Sequence, residues 1–520
     1  MMDIQFSPFL LSSPKYLFLL FSFLILLVKI SKKIKTSSDH DITPKLPPGP
    51  TKFPLVGNLH NLVGGLPHHV LASLAKKYGP LIHLQLGEIS TVVVSSAKMA
   101  KEILVTHHPC FANRPENQTT RIIWYEREDM GFAPYSEHWK QMRKICMMEL
   151  LSIKSVDSFR FIRQDEISRL VESIIQSSSS AGVPVNLTEK LFDYTCSVVC
   201  RAAFGRICKD KDTMINNVKT VFSVMAGFNL ADVFPSLKFL PVITGLKQKL
   251  QEVHRQMDEV LEDVINQHKA NHEIGRKGNS ELGDEDFVDV LLLQQQESGN
   301  NHQIPITTRN IKGVILNIFT GGTDTSSITT EWALSELMRH PEIMAKAQAE
   351  VRQVCKGKKI IEEDDIQDLK YLKMVIQETF RFHPVVPLIP RSSRENREVN
   401  GYMIPEKSRV LVNFWTIGRD PEYWDDPEKF KPERFEHKSV NYMGTQSEYI
   451  PFGTGRRMCP GVTFGLAIVE LSLANLIYHF DWRLPHGMKP NDLDMDEVIG
   501  LTAGRKTSLC LIGIPYHAYE

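Results

Sequence analysis

Phe452, Gly453, Gly455, Arg457, Cys459 and Gly461 fall within ten residues, directly ahead of a strongly apolar run. Residue types in this order point to a cysteine held as a thiolate. Pro460 suits the first turn of a helix, and Val462, Gly465, Ile468, Val469, Leu471, Leu476 and Ile477 repeat behind it at helical spacing. Cys459 is therefore expected at a helix N-terminus. There the helix dipole and free N–H groups favour an anion and lower a thiol pKa from its usual value of about 8.5. Glycines at 453, 455 and 461 let the backbone approach a flat ligand closely, and Arg457 offers a fixed charge to an acidic group beside the sulfur.

A second constellation is Gly321-Gly322-Thr323-Asp324-Thr325-Ser326. It lies inside the longest helical pattern, Thr308 to His340, which Pro341 stops and which spans on the order of 45 Å at 1.5 Å per residue. Two adjacent glycines cost about 1 kcal/mol each in a helix, and the Thr, Asp and Ser that follow compete for backbone hydrogen bonds. Such a breach of local rules marks a candidate functional site, and an acid beside a hydroxyl is suited to moving protons. Glu378 and Arg381 share a helix face three residues apart, as do Trp139 and Arg143 four apart.

These motifs carry a family resemblance. Phe-x-x-Gly-x-Arg-x-Cys-x-Gly resembles the haem-binding loop of the cytochrome P450 family, and the resemblance extends over residues 46 to 520. It implies a mainly α fold with small β-sheets, haem b bound through Cys459 as axial ligand of the iron, and oxygen activation favoured by the thiolate. By the same resemblance Gly322 and Thr325 line an oxygen groove where the helix opens, Thr325 holds dioxygen and water, and Asp324 helps deliver protons. Arg143 and Trp139 meet the haem propionates, as does Arg391, and an arginine fork suits a carboxylate. Glu378 and Arg381 join Arg434 of Pro432-Glu433-Arg434-Phe435 in a structural lock on the cysteine loop.

The pattern is similar to plant microsomal enzymes of specialised metabolism, most of all to the group that oxidises terpenes and also contains alkaloid hydroxylases. Ile318, Phe319, Val386, Leu388, Ile389, Leu501 and Thr502 are the expected pocket residues, an apolar wall with few polar anchors. Val385-Val386 and Ser392-Ser393 depart from the commoner residues around Arg391. No Gly-x-Gly-x-x-Gly follows a strand and no Walker loop occurs, so electrons are expected from an NADPH-cytochrome P450 reductase docking near basic residues such as Lys140 and Arg456. A haem-thiolate isomerase or dehydratase, and a non-enzymatic haem carrier, are the competing readings; Asp324 and Thr325 argue against the first, and the oxygen groove together with the membrane anchor against the second.

The elements that must position these residues are legible in outline. The chain has 520 residues with no internal repeat, 42% hydrophobic and 23% charged, which suits one large domain. Lys+Arg and Asp+Glu both number 61, which gives no global field to favour nucleic acid. Eight cysteines, at 110, 146, 196, 200, 208, 355, 459 and 510, lack a disulfide-scaffold or zinc C-x-x-C pattern, and Cys196 with Cys200 reads as core packing. Tyr16 to Val28 is apolar without interruption, and positive charge follows at Lys29, Lys32, Lys33 and Lys35. We read residues 9–30 as an uncleaved signal anchor spanning the bilayer once, with the catalytic domain on the cytoplasmic face of the endoplasmic reticulum. Residues 31–50 form a basic, Pro-rich hinge ending in Pro47-Pro48-Gly49-Pro50, and residues 51–520 the monooxygenase domain. The sequons at Asn117 and Asn186 are then expected to stay unmodified. Residues 81–95 predict a β-hairpin, and Ser177 to Ser180 and Glu273 to Asp286 predict solvated loops.

Overall fold

A computed structural model describes residues 45–178, 182–206, 211–225, 228–273, 285–300, 304–438, 440–498 and 500–516. The signal anchor and most of the hinge lie outside the described residues. Helices α1 (Glu137–Ile145), α2 (Leu187–Phe204), α3 (Leu246–Glu273), α4 (Phe287–Asn300), α5 (Thr308–Arg339), α6 (Lys370–Phe382) and α7 (Val462–His479) carry the site or pack beneath it. Strands β1 (Leu81–Leu86), β2 (Ile89–Val94), β3 (Leu388–Ser392) and β4 (Arg409–Asn413) form one sheet in the order β1-β2-β4-β3.

The hairpin forms because Gly87 takes φ +59° between two alternating runs, pairing Leu81 with Val94 and Leu86 with Ile89. β4 runs parallel to β2 and antiparallel to β3, and all five of its residues are buried. Val410 and Val412 join one apolar cluster and Leu411 another, on opposite faces of the strand. The Pro-rich hinge is seated on this sheet. The Pro48 carbonyl accepts the His83 N–H at 2.9 Å, and a Cβ on Gly49 would lie 2.1 Å from the His83 carbonyl oxygen.

α5 begins at a capping box, with Thr307 and Asn310 bonding each other's backbone N–H groups, and Pro341 opens the next helix. Its helical conformation is continuous through Gly321 and Gly322, contrary to the expected opening. Thr325 Oγ1 bonds back to the Gly321 carbonyl at 2.6 Å, inside the helix. Between Asn310 and Met338 every residue of α5 is buried except Asn317, Gly321, Gly322 and Thr325. Close neighbours account for the rest. Gly322 approaches Val199 of α2, Thr195 donates to the Thr323 carbonyl at 2.9 Å, and Thr330 meets Ser472 of α7 at 3.0 Å.

α7 starts at Val462 with Gly461 as its cap, so Pro460 lies just outside the helix. Among the described residues α7 is also the one helix long and apolar enough to cross a membrane, but it is two-thirds buried and serves as core. Cys196 and Cys200 are both buried with their sulfurs 4.0 Å apart. Both sequons have a structural use, because Asn117 caps a helix through Thr120 N–H and Asn186 caps α2 through Glu189 N–H. Ser177 lies in the helix Arg160–Ser178 rather than in a loop, with its hydroxyl bonded to the Ser173 carbonyl. Asp286 is 1% exposed, a correction to the expected solvated end of its loop, because it caps α4. Residues 274–284 lie outside the described residues.

Candidate active site

The cysteine loop is shaped by glycines that no other residue can replace at low cost. Gly455 has φ +73°, and a Cβ there would lie 2.2 Å from the Leu104 carbonyl oxygen. Gly453 has φ +75° and donates to the Ile450 carbonyl, and Thr454 bonds the Gly444 carbonyl at 2.8 Å. The Cys459 N–H closes the turn on the Phe452 carbonyl at 2.9 Å, while the Phe452 ring sits 5.0 Å from Phe380 of α6. Cys459 is walled in by protein yet keeps part of its surface open, as a residue facing internal space does.

The sulfur's electrostatics differ from expectation. Burial pushes the Cys459 thiol up, and the Gly461 N–H, Arg143 and Arg114 pull it down without winning. The helix terminus is real, but desolvation outweighs it. A thiolate at this position calls for a cation on the sulfur itself, as a bound metal ion supplies.

Four arginines gather around the same space. Arg391 is 2% exposed, and burial followed by the charges of Arg114, Arg457 and Arg143 pushes its pKa far below the usual guanidinium range. Its one side-chain hydrogen bond goes to the neighbouring Pro390 carbonyl at 3.2 Å. Arg114 bonds that carbonyl at 2.8 Å and leaves Nε without a partner; burial, then Arg143, lowers its pKa to about 10. Arg143 donates to the Met458 carbonyl at 2.6 Å, next to the cysteine. Asp129 faces Arg114 and Arg457, and burial lifts its own pKa to about 6. Such an excess of buried positive charge, beside a cysteine and glycines, fits a flat ligand bearing more than one carboxylate.

Trp139 and Arg457 take other parts. Trp139 donates its Nε1–H to the Met130 carbonyl at 2.8 Å and stacks under the Arg457 guanidinium at 4.1 Å. Arg457 spends donors on the carbonyls of Ala112 (2.8 Å) and Ala133, tying the cysteine loop to both segments. Both residues brace the loop, and Arg114, Arg143 and Arg391 are the arginines with donors left beside the cysteine. Sequence reasoning missed Arg114, for which no periodicity or local pattern gives a signal.

On α5 the unburied stripe Asn317, Gly321 and Thr325 advances four residues at a time, so it forms one face toward internal space. Asn317 accepts the Met130 and Gly131 N–H groups at 3.1 and 2.8 Å, which ties that face to the segment under Trp139. A Cβ on Gly321 would meet nothing within 4 Å, whereas one on Gly322 would meet Val199 at 3.0 Å. The open glycine is thus Gly321, and Gly322 sets the approach of α2. Asp324 points elsewhere. It is 8% exposed, its pKa is lifted to about 6 by burial against the opposing pull of Thr502 and Lys219, and its Oδ2 has no hydrogen-bond partner among the described residues.

A cavity borders this site through Arg114. Leu388, Leu501 and Thr502 line it, together with Phe132, Met225 and Phe228. Ile318, Phe319, Val386 and Ile389 do not line it. Phe319 is fully buried and stacks on Phe204 of α2, and Ile318 joins the same core. Strand alternation turns Ile389 to the face of β3 opposite Leu388.

Behind the site, Glu378 and Arg381 are fully buried and bonded bidentately at 2.7 and 2.8 Å. Arg434 reaches Glu378 at 3.0 Å, and Arg381 also caps the Gly418 and Pro427 carbonyls at 2.6 and 2.9 Å. The network pins residues 418–434 to α6, whose Phe380 carries the cysteine loop. Glu378→Gln is expected to strand two buried guanidinium charges and destabilise the domain by about 3–5 kcal/mol, read as a lower Tm and lost haem-loaded yield. An unchanged Tm would refute a structural role.

A helical domain that walls a cysteine sulfur and buried arginines around one flat internal space is a haem-thiolate protein. Its relatives define the type. The sequence pattern of the cytochrome P450 family matches residues 47–511. Premnaspirodiene oxygenase of Hyoscyamus muticus is 54% identical over 96% of this chain and 97% of its own length. 5-Epiaristolochene 1,3-dihydroxylase of Nicotiana tabacum is 51% identical over 96% and 97%, and desmethyl-deoxy-podophyllotoxin synthase of Sinopodophyllum hexandrum 49% over 99% of each. A zebra fish cytochrome P450 structure with abiraterone superposes with TM-score 0.72 at 26% identity, covering 87% of this chain and all of that one. The chain belongs to the cytochrome P450 family and is a haem b monooxygenase using O2 and electrons that a reductase draws from NADPH.

Proposed function

We propose that this enzyme hydroxylates or epoxidises a terpenoid, of sesquiterpene or diterpene size, in plant specialised metabolism. The carrying observation is the cavity bordering the arginine cluster, whose aromatic and aliphatic lining offers shape and dispersion with few hydrogen bonds. Two relatives, a premnaspirodiene oxygenase and a 5-epiaristolochene 1,3-dihydroxylase, support that substrate class. Bound haem supplies the oxygen chemistry, which its thiolate ligand favours. In this reading Cys459 binds the iron, and Arg114, Arg143 and Arg391 hold the propionates. Leu388, Phe132 and Leu501 position the substrate, and Thr325 orients water and dioxygen on the open face of α5. Asp324, bonded to Thr502 of the cavity wall, is the buried acid that supplies a proton from that side. Residues 9–30 anchor the chain in the endoplasmic reticulum membrane, and Lys140 of α1 and Arg456 of the cysteine loop, both exposed, offer the NADPH-cytochrome P450 reductase a basic surface.

Microsomes holding the chain and a plant reductase, fed mixed terpenes and alkaloids, test the reading. An NADPH-dependent gain of one oxygen on a terpene is expected. Conversion without NADPH would replace it with an isomerase or dehydratase, and exclusive turnover of an alkaloid would overturn the substrate class. Thr325→Ala is expected to keep haem while raising the share of NADPH lost as peroxide, and fully coupled turnover would remove Thr325 from the proton path.

A further inference from the structure

The end of α3 packs against the start of α4, and four side chains meet there. His268 and His272 lie one turn apart on α3, and Asp286 and Asp289 come from the N-terminal turn of α4. His268, Asp286 and Asp289 are 0%, 1% and 1% exposed. His268 Nε2 lies 2.8 Å from Asp286 Oδ2 and 3.9 Å from Asp289 Oδ1, and His272 Nε2 is 2.9 Å from the same Asp289 oxygen.

Helix capping explains only half of these carboxylates. Asp286 Oδ1 accepts the Val288 and Asp289 N–H groups at 2.9 and 3.1 Å, and Asp289 Oδ2 accepts the Asp286 N–H at 3.3 Å. The other two oxygens, Asp286 Oδ2 and Asp289 Oδ1, face the imidazoles. His268 Nδ1 lies 2.7 Å from the Val264 carbonyl, which can only accept, so Nδ1 carries a hydrogen and Nε2 faces both oxygens. Two carboxylate oxygens on one buried imidazole nitrogen call for positive charge there, as a proton on Nε2 or a metal ion in its place. Among the described residues no lysine or arginine pairs with either aspartate. A histidine oriented by its other N–H on a backbone carbonyl is also how a metal-ligating imidazole is held. His68, His69 and Glu497 converge as well, but there the Arg419 charge lies alongside.

We propose that His268 Nε2, His272 Nε2, Asp286 Oδ2 and Asp289 Oδ1 bind one zinc ion that fastens α3 to α4. Two imidazoles and two carboxylates suit a closed tetrahedral zinc site. The ligand atoms of His268, Asp286 and Asp289 lie within 4.8 Å of one another, and His272, partly exposed and 2.9 Å from Asp289 Oδ1, takes the fourth corner by turning toward them, to the edge of about 3.3 Å that bonds of about 2.0 Å produce. The site takes no part in the proposed reaction.

The haem-loaded full chain, stripped of loose metal with dipicolinate, is titrated with Zn2+ against a chromophoric chelator, and zinc per haem is measured after gel filtration. One zinc per haem is expected, with a zinc-edge absorption spectrum showing two imidazoles. His272→Ala, at the outer edge of the cluster, and Asp289→Asn are expected to weaken binding at least about tenfold with haem content unchanged. Failure of the wild-type chain to retain zinc would show that a proton alone holds the cluster and overturn the proposal. Equal retention by His272→Ala, or an edge spectrum without imidazole, would overturn it too. The wild-type titration and spectrum decide the matter even if a variant fails to fold.

Discussion

Cys459→Ala is expected to abolish turnover, a fall of at least about a thousandfold, or about 4 kcal/mol of barrier. The reason lies in the balance at the sulfur. Desolvation opposes ionisation there, so a bound iron favours the thiolate, and the cysteine loop offers it no other anionic side chain. Removing it forfeits both the ligand and its electron donation. The check is the carbonyl difference spectrum of membranes from the variant. Loss of the haem-thiolate band with protein still present is the expected result, and a retained band would move the ligand to another residue. The arginine cluster makes a related demand, because without the ligand's carboxylates Arg114 and Arg391 face one another's charge.

Asp324→Asn is expected to separate activity from stability. Product formation should fall by roughly 10²–10⁴, the usual range for losing a positioned proton donor, with haem spectra unchanged. Stability should move the other way. Burial lifts the Asp324 pKa from 3.8 to about 6, so between those values the folded chain binds more protons than the unfolded one. Stability therefore falls as pH rises through that window, and the penalty stands in full above it. Its upper bound is about 3 kcal/mol from a shift of about two pH units. The asparagine variant, which carries no charge, should show a higher Tm at pH 7.5 and lose that advantage near pH 4. Equal Tm at both pH values would show that Asp324 is not a buried charge, and full activity would show that it moves no proton.

Local patterns were enough for several elements. The hairpin over 81–94 follows from alternation around one glycine, and α5 from its long helical pattern and Pro341. The cysteine loop is readable because its glycines, cysteine and arginine act within ten residues of one another. The Glu378 and Arg381 pair is readable as a shared helix face, though not its 0% exposure. In each case the determining interactions lie within a few residues along the chain.

What failed did so at an element boundary or where packing from other segments decides the outcome. Pro460 looks helical by type, but Gly461 supplies the cap. The glycine pair in α5 looks like a break, yet Val199 and the bonded threonine hydroxyl accommodate it in a regular helix. Periodicity marks Phe319 as apolar without saying whether it faces a cavity or Phe204.

The sequence by itself determined the chemistry: a cysteine in a glycine-rich loop before an apolar helix, and an acid and a hydroxyl in the middle of a long one. It did so because backbone conformation and side-chain type act over short distances. Only the tertiary structure decided the charges and the walls. It buried the sulfur until desolvation outweighed the helix terminus, drew Arg114 and Arg391 to one space, turned Trp139 and Arg457 into braces, and set Phe132 and Met225 around the cavity. Desolvation and packing depend on every segment that converges on a point, and that convergence exists only once the chain has folded.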